Sequence, residues 1–528
     1  MDWIYNITYA LTFGIAFYYF YLKARKSIHI LQLNSYRDER YGKWMNQNAA
    51  KVYFNSDLLP ILGAIIAVFF PLIGLAVAVL SYLLLIRLRP QIKEKKPLVV
   101  TDRVKRLMRT IYGISGIVFL MFGVFLYSYP YLAILCIVLW IFTTFWVVRF
   151  GNRINVPIEN NINLSFYKQA QQKVKSASDL LVIGITGSYG KTSVKHAVTD
   201  LLSHKFNVLM TPGSYNTAMG VTRIINDKLN PLHEIFVAEM GAKQRGDIKE
   251  LVDLASPKIG ILTAIGPAHL ETFGSLEITQ KTKYELIDGL PKDGVAFMNY
   301  DNERVRECVE WTNVEKYTYS ASSDKADFYA SDLNITSKGS HFKVNTPDGQ
   351  SIPVLTKLLG EHNISNVVVG VAVAHHLGVS HQQISGIVRT LKPAEHRLQL
   401  KKTAAGITIL DDAFNSNPVG SKAAVEVLRQ IEGNQKILVT PGMVELGEQE
   451  YELNYQFGVH ASKNADYIIL VGQKQTEPIQ KALKDEGFNE SNLFVAKDFF
   501  EGNAHLQSIA KKGDVVLFEN DLPDTYNE

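Results

Sequence analysis

The sequence predicts an α-helical membrane region followed by two α/β domains. Residues 1–150 hold long apolar runs and carry 17 Lys and Arg against 6 Asp and Glu. A short apolar run at 180–187 ends in glycine and continues into a helical pattern, which is typical of a strand, a phosphate-binding loop and a helix N-terminus. Beyond about residue 396, short apolar runs alternate with helical stretches, which predicts a second doubly wound domain.

Charge and cysteine content narrow the class of protein. Residues 151–528 carry 38 Lys and Arg against 45 Asp and Glu, so a basic apolar part joins a mildly acidic one. This asymmetry favours a membrane part plus a soluble part. The two cysteines, Cys136 and Cys308, are too far apart for a disulfide framework or a zinc site, which favours a reducing compartment. The sequence shows no nucleic-acid-binding motif.

The first 150 residues contain several candidate membrane spans. The uncharged run 3–22 is about long enough to cross a bilayer as a helix, and runs 111–128 and 131–149 predict a helical pair. The apolar stretch 58–86 is long for one pass and short for two. It fits either a shallow hairpin that turns near Pro71 and Gly74 or one long tilted helix.

Positive charge favours the hairpin. The loop at 23–57 holds seven Lys and Arg, and the loop at 87–110 holds nine. If both loops stay in the cytoplasm, the stretch between them must turn back. The protein is then a multi-pass membrane protein with cytoplasmic catalytic domains. The basic segments either contact anionic lipid headgroups as well or act as a topology signal alone.

The stretch TGSYGKTS at 186–193 predicts a phosphate site. Free backbone N–H groups and the helix dipole attract anions there, Lys191 can reach the outer phosphates, and Thr192 can hold Mg²⁺. Two further strand ends are predicted at the same edge. Glu239 ends the apolar run 234–242, where an unpaired carboxylate would be costly unless it serves a cation. His269 follows the run 259–266.

Ordered motifs from about residue 180 to 450 resemble the Mur ligase family of ATP-dependent amide ligases. The closest resemblance is to the branch that adds D-alanyl-D-alanine to UDP-N-acetylmuramoyl-tripeptide. The matching runs are GITGSYGKTS, TPGSYNTAMGV, VAEMGAKQRGDI, LTAIGPAHLETFGS, KTKYEL, MNYDNERV, LGEHNISNVV, EHRLQL, DDAFNSNP and GMVELGEQE.

The resemblance implies a domain plan. Membrane helices at 1–150 take the place of the family's nucleotide-sugar-binding domain, and a polar linker with a short helix follows at 151–178. A central P-loop ATP-binding domain occupies 179–395, with a small antiparallel insertion at 316–358. A C-terminal Rossmann-like domain occupies 396–528, and ATP is expected between the two domains.

The resemblance also implies a mechanism. A substrate carboxylate attacks the γ-phosphate of ATP, and an amine displaces phosphate from the acyl-phosphate. Lys191, His269, Lys283 and Arg397 are then the catalytic residues, with Lys283 carbamylated. Two Mg²⁺ ions are expected, with ligands from Thr192, Glu239, His269 and Lys283. ATP contacts fall to Thr186, Gly187, Ser188, Gly190, Lys191, Thr192, Ser193, Asn299, Asn366, Arg397 and Asp412, and substrate contacts to Asn216, Thr217, Asn415 and Asn417.

The sequence departs from the family pattern at several places. Ser188 replaces the usual Thr, Tyr189 is bulky, and Ala264 stands where Asn is common. Glu-His precedes Arg397 in place of Pro-Gly. The C-terminus lacks the Lys-Gly-Ser-Arg end of the muramoyl-pentapeptide enzymes, which leaves the identity of the acceptor open.

Three functions are compatible with these features. The first is a membrane-anchored ligase that joins an amino acid or peptide amine to a carboxylate of a cell-envelope precursor, lipid-linked or polymeric. The second is a D-alanyl-D-alanine ligase of ordinary specificity. The third is a non-catalytic, nucleotide-sensing membrane scaffold. The expected partners are ATP, the envelope carboxylate, the amine and membrane lipids.

Overall fold

The computed structural model describes residues 2–88, 97–267, 270–336, 339–358, 360–393, 396–413, 417–444 and 446–520. The chain divides into two compact units, Met1–Leu164 and Ser165–Glu528. The first is helical, and the second is built on two β-sheets.

The described residues of the first unit lie mostly in helices, the last of which runs past Leu164. Their bounds are α1 (Asp2–Leu33), α2 (Asp38–Gln47), α3 (Ala49–Val52), α4 (Ile61–Ala67), α5 (Pro71–Arg87), α6 (Asp102–Phe125), α7 (Pro130–Phe142) and α8 (Thr144–Ser176). The expected polar linker at 151–178 is instead helical to Ser176, because α8 continues through it. Its polar residues have partners: Glu159 receives two hydrogen bonds from Arg106, and Asn152 donates to the Tyr36 carbonyl.

The apolar stretch 58–86 forms two helices that fold back on each other. A Cβ placed on Gly63 would lie 2.6 Å from the Gly74 carbonyl oxygen, and one on Gly74 would lie 2.4 Å from the Ala67 nitrogen. Two glycines therefore allow the backbones of α4 and α5 to touch. The structure has the hairpin in place of the long tilted helix, with its break just before Pro71.

Described residues of the two basic segments contact each other in this unit. Gln32 and Val99 exchange two hydrogen bonds, of 2.9 and 3.0 Å, and the Arg103 guanidinium stacks 3.9 Å from the ring centroid of Tyr36. Elsewhere in the unit, Tyr5 donates to the Tyr127 carbonyl. That 23–57 and 87–110 face one side of a membrane stays a prediction.

Among the described helices, α6 is long and apolar enough to cross a membrane. The pair α7 and α8, bent by 66°, counts as a second candidate if it forms one span. The expected helix at 131–149 is broken near residue 143 by this bend. The expected span 3–22 lies within α1 but falls short on mean hydropathy, since tyrosines interrupt its apolar residues.

The second unit alternates strands and helices. Its strands are β1 (Leu181–Thr186), β2 (Val208–Met210), β3 (Ile235–Glu239), β4 (Ile259–Leu262), β5 (Val295–Asn299), β6 (Glu315–Ser320), β7 (Phe328–Thr336), β8 (Gly339–Asn345), β9 (Ser351–Thr356), β10 (Gln399–Lys402), β11 (Thr408–Asp412), β12 (Lys436–Thr440), β13 (Tyr467–Val471), β14 (Leu493–Ala496) and β15 (Val515–Glu519).

Helices cover these strands and supply the loops of the site. They are α9 (Lys191–Leu202), α10 (Ala218–Lys228), α11 (Asp247–Ala255), α12 (Leu270–Phe273), α13 (Leu276–Asp288), α14 (Glu303–Trp311), α15 (Glu361–His376), α16 (His381–Val388), α17 (Pro418–Gln430), α18 (Glu450–Asn464), α19 (Glu477–Asp485) and α20 (Phe499–Ile509).

The first sheet has the order β2-β3-β1-β4-β5-β6-β7-β8-β9. Strands β1 to β6 pair in parallel, whereas β7, β8 and β9 are antiparallel to one another. The expected antiparallel insertion is therefore present from β7 to β9, and it extends the main sheet. Strands β1, β3 and β4 are central and apolar, so their carboxyl ends bring polar side chains to one edge.

The second sheet has the order β10-β11-β15-β12-β13-β14. All its pairs are parallel except β10 with β11 at one edge. The five runs expected to be buried strands after residue 396 are all strands. The edge strand β10 follows Arg397 directly and pairs Gln399 with Asp411.

Candidate active site

The loop between β1 and α9 depends on two glycines. Gly187 and Gly190 have φ of +150° and +82°, and a Cβ on Gly187 would lie 2.0 Å from the hydroxyl oxygen of Thr263. Only glycine fits so close to a neighbouring strand. The Thr263 hydroxyl in turn donates to the Tyr189 carbonyl, so the end of β4 holds the loop.

Two of the unusual residues around this loop have a structural explanation. Ala264 contributes its carbonyl, which accepts from the Ser188 N–H at 2.6 Å, so this contact needs no particular side chain. The ring of Tyr189 packs against Gly266, where a Cβ would lie 2.5 Å from it. The bulky Tyr189 ring therefore fits because Gly266 has no side chain.

Lys191 opens α9 and lies across the loop. Its Nζ donates to the carbonyls of Gly187, at 2.8 Å, and Ser188, at 3.3 Å. Burial lowers the pKa of Lys191, while the Glu239 carboxylate opposes this shift and Arg397 adds to it. The ammonium group thus lies against two carbonyls of the loop, with Glu239 and Arg397 within electrostatic reach.

Glu239 is the centre of a buried polar cluster at the end of β3. Its Oε2 accepts from the Thr192 hydroxyl at 3.0 Å, and its Oε1 accepts from the Asn216 amide at 2.9 Å. The residue is 1% exposed. Burial raises the pKa of its carboxyl, but Lys195 and Lys191 outweigh that effect, so the pKa is lowered and the group is ionised.

Lys195 completes this cluster and was not singled out from the sequence. Its Nζ lies 3.2 Å from Glu239 Oε2 and also donates to the Gly213 carbonyl. Its side chain is fully buried. The spacing contained a signal, because Lys195 lies one turn after Lys191 and Thr192 on the same face of α9.

Lys283 on α13 is buried close to the same edge. Its Nζ donates to the Ala242 carbonyl at 3.4 Å and lies 5.7 Å from the ring centroid of Phe273. Burial, followed by the charge of Lys191, holds the pKa of Lys283 well below its usual range. Burial therefore favours the neutral form of this amine.

Arg397 and Asp412 approach this cluster from the second sheet. Burial lowers the pKa of Arg397, with the carboxylates of Asp412 and Glu239 opposing it. Burial also raises the pKa of Asp412 to about 6, and Arg397 opposes that shift. Asp412 accepts from the Leu398 N–H at 3.0 Å. The structure thus brings Arg397 within the electrostatic reach of Lys191 and Glu239.

A small pocket opens beside α9, lined largely by residues of the first sheet domain together with Arg397. Ser193, Asn366 and Arg397 line it, as does Asn363, a second residue that the sequence reasoning did not single out. Asn366 donates to Asn363 at 3.3 Å. Asn299 ends β5, and its side chain accepts from the Asp301 N–H.

Several of the predicted site residues form hydrogen bonds with the protein's own backbone. The Thr186 hydroxyl donates to the Met240 carbonyl, Thr217 caps α10, and Asn417 caps α17. Roles for these residues in binding remain predictions. His269 and Asn415 lie outside the described residues. Within the described part of the chain, no group of three or more His, Cys, Asp and Glu could hold a metal ion.

Comparisons with known proteins match the two α/β domains to one family. Residues 185–374 match the Mur ligase middle domain, and residues 396–519 match the Mur ligase glutamate ligase domain. The UDP-N-acetylmuramoyl-tripeptide–D-alanyl-D-alanine ligase of Escherichia coli is 36% identical over 307 residues, which span 57% of this chain and 66% of that enzyme. The enzyme of the same name from Bacillus subtilis is 30% identical over 341 residues, spanning 64% and 72%.

Solved structures show the same two-sheet fold. MurF ligase from Thermotoga maritima in complex with ADP superposes with a TM-score of 0.61 and 25% identity, covering 69% of this chain and 81% of that one. MurF from Acinetobacter baumannii also gives 0.61, with 26% identity, covering 69% and 78%. The chain therefore belongs to the Mur ligase family of ATP-dependent acid–amino-acid ligases.

Proposed function

We propose that this protein is a membrane-anchored ligase that uses ATP to join an amine to a carboxylate of a cell-envelope precursor. The observation that carries the proposal is the convergence of Lys191, Thr192, Glu239, Lys283 and Arg397 at one sheet edge. Such a set of cations and a cation-binding carboxylate suits a triphosphate and a charged acceptor.

The chemistry has two steps. An acceptor carboxylate oxygen attacks the γ-phosphorus, the bond to the β-phosphate oxygen breaks, and ADP leaves. The amine nitrogen then attacks the acyl carbon, the bond to phosphate breaks, and a proton leaves the nitrogen. Because both steps gather negative charge at the γ-phosphate, Lys191 and Arg397 serve by neutralising it and holding it in line.

The oxygen donors fit Mg²⁺. Magnesium is usually held by one or two carboxylates together with substrate phosphates, and it prefers oxygen ligands. Thr192 and Glu239 supply a hydroxyl and an ionised carboxylate 3.0 Å apart. When bound, the ion supplies positive charge that stabilises the transferring phosphoryl group. Lys195 and Asn216 keep the Glu239 carboxylate in place.

Lys283 suits the carbamate that the family resemblance implies. Carbamylation requires a neutral amine that attacks CO₂ and then loses a proton, and burial favours the neutral form of this amine. The product is an anion, which is able to bind a second Mg²⁺ and to offset the charge of the neighbouring Lys191. We therefore propose two magnesium ions, with Lys283 serving the second.

The helical unit supports a membrane location. Its exposed residues include large apolar side chains on α6, such as Leu120 and Phe125, which are 67% and 75% exposed. Large apolar surfaces of this kind mark interaction with a membrane or a partner. Described residues of the two basic segments contact each other, as expected if both segments face the cytoplasm.

A membrane location makes a lipid-linked carboxylate the natural acceptor. The matched family domains begin at residue 185, and the helical unit precedes them. An enzyme anchored beside its acceptor meets it in two dimensions. We propose that the acceptor is a cell-wall precursor on a lipid carrier and that the amine is an amino acid or a short peptide.

A second candidate is a D-alanyl-D-alanine ligase that uses soluble UDP-muramoyl-tripeptide. It is favoured by the similarity to the Escherichia coli and Bacillus subtilis enzymes of that name. The two candidates share the active site and differ only in the acceptor.

Phosphate release by the full-length protein in vesicles separates the candidates. Each acceptor, UDP-muramoyl-tripeptide or a lipid-linked muramoyl-peptide, is paired with D-alanyl-D-alanine or with single amino acids. The proposal predicts turnover with the lipid-linked acceptor and little with the soluble one. Turnover with UDP-tripeptide and D-alanyl-D-alanine at equal or greater efficiency would favour the second candidate. Lys191→Ala provides the inactive control.

A further inference from the structure

The turn that carries Arg397 has an uncommon backbone. The residues on either side of it, His396 and Leu398, have φ of +58° and +47°, which is the left-handed region. Residues with a Cβ are disfavoured there, and Leu has no short polar side chain to compensate. Such a conformation persists only when its surroundings hold it.

Two adjacent carboxylates hold this turn. Asp411 Oδ2 lies 2.8 Å from His396 Nδ1, and Asp412 Oδ1 accepts from the Leu398 N–H at 3.0 Å. The carboxylates thus engage the residue before Arg397 and the residue after it. Asp411 is itself held, because Lys401 Nζ donates to its Oδ2 at 2.6 Å and its backbone pairs with Gln399.

The turn decides where the guanidinium of Arg397 lies. Arg397 lies just before β10 of the second sheet, whereas Lys191 opens α9 and Glu239 ends β3 of the first sheet. A change of backbone conformation at residue 396 would swing the Arg397 side chain away from both. His396 itself is 46% exposed in its side chain, so its ring contributes little to the core.

We propose that His396 and Asp411 are positioning residues, whose contact holds the left-handed turn that directs Arg397 at the phosphates. This inference rests on the proposed function, because it takes the target of Arg397 to be the γ-phosphate. It also explains why histidine is compatible with a place where the family pattern has glycine. Glycine adopts the turn freely, while histidine adopts it with the help of Asp411.

The test uses two substitutions at one position. His396→Ala loses the contact but keeps the Cβ, whereas His396→Gly loses the contact and the Cβ together. The readout is the Kd of full-length protein for AMPPNP and for ADP, each with Mg²⁺, since only AMPPNP carries a γ-phosphate. We expect His396→Ala to raise the Kd for AMPPNP about tenfold and the Kd for ADP less than twofold. Tenfold is the factor that corresponds to the free-energy cost of a left-handed backbone conformation in a residue with a Cβ.

The His396→Gly variant should recover most of the affinity for AMPPNP that His396→Ala loses. We expect His396→Gly to bind AMPPNP within about threefold of wild type, because it needs no help to adopt the turn. His505→Ala is the matched control, since His505 packs on Phe494 in another part of the second sheet. Thermal unfolding of all variants should stay close to wild type, because the ring of His396 is half-exposed.

The outcomes separate the inference from the proposed function. If Arg397→Ala weakens AMPPNP and His396→Ala does not, the positioning role is wrong and the ligase proposal stands. If His396→Gly binds AMPPNP as weakly as His396→Ala does, the contact between His396 and Asp411 does not act by holding the turn. The inference is then also wrong. If wild-type protein does not distinguish AMPPNP from ADP and Arg397→Ala changes neither, the role proposed for Arg397 at the γ-phosphate fails.

Discussion

Replacing Lys195 by methionine should destabilise the second unit and change its response to magnesium. The side chain of Lys195 is fully buried, and its only carboxylate partner among the described residues is Glu239, whose side chain is 1% exposed. Methionine has a similar length and fills the same space without a charge. Glu239 would then be left as a buried anion with weaker compensation, from Lys191 and Arg397.

The expected loss in the free energy of unfolding follows from the cost of leaving one member of a buried ion pair without its partner. Breaking such a pair typically costs about 3–5 kcal/mol. Glu239 keeps its hydrogen bonds from Thr192 and Asn216, so we expect the lower end of that range. For a unit of this size the loss corresponds to a fall in Tm of roughly 5–10 °C.

A double-mutant cycle with urea unfolding measures the effect. Glu239→Gln removes the charge that Lys195→Met leaves unpaired, so the double variant should recover about 2 kcal/mol relative to additivity. Mg²⁺ should stabilise Lys195→Met more than it stabilises wild type, because the cation replaces the missing ammonium. Lys228→Met, an exposed site on α10, is the matched control and should change stability by less than about 0.5 kcal/mol.

Two results would refute this reasoning. The first is a Lys195→Met protein as stable as the Lys228→Met control. The second is strict additivity in the cycle, which would mean that Lys195 and Glu239 do not interact energetically. Either result would remove the basis for treating Glu239 as a carboxylate held ready for a cation.

Three further predictions address other parts of the protein. Lys283→Arg should abolish turnover and remove a carbamate ¹³C NMR signal that ¹³C-bicarbonate produces in wild type, since arginine stays protonated; an unchanged signal would exclude Lys283 as its source. The pKa of Asp412 is raised to about 6 in the folded state, so its ionisation opposes folding above its unfolded value of 3.8. Wild-type stability relative to Asp412→Asn should therefore fall by up to about 3 kcal/mol as pH rises from 4 to 7 and stay level above, and a flat difference in urea titrations would contradict the burial argument. Gly63→Val should disrupt the α4–α5 hairpin and lower the Tm of the detergent-solubilised protein, whereas Gly116→Val, with open space around it, should not; equal Tm values would argue against close packing there.

The strands and the phosphate loop were predictable because each has a strong local signal. The run before Gly187 is apolar and short, and Lys191 and Thr192 follow it at the start of a helical pattern. Glu239 stood out because a lone carboxylate on an apolar strand needs a partner. The family resemblance added Arg397 and Asp412, which no local pattern would have connected to the loop.

Other features depend on contacts between distant residues, which a single sequence does not reveal. A lysine on a helix is usually solvated, so Lys195 did not stand out until its burial against Glu239 was known. The polar stretch after residue 150 was expected to be a linker. It is helical, and within it Asn152 donates to the carbonyl of Tyr36 in the turn before α2, while Glu159 pairs with Arg106 of α6. The left-handed turn at Arg397 likewise depends on a strand that follows it.

The central claim is amide formation driven by ATP through an acyl-phosphate, and oxygen tracing tests it most directly. The full-length protein in vesicles receives ATP, an amine and an acceptor whose carboxylate oxygens are ¹⁸O, with the acceptor either lipid-linked or UDP-linked. Mass spectrometry then follows the label. The account predicts that released phosphate carries one ¹⁸O atom for each amide formed, with the lipid-linked acceptor as the better substrate. Phosphate that carries no ¹⁸O while amide accumulates would contradict the account.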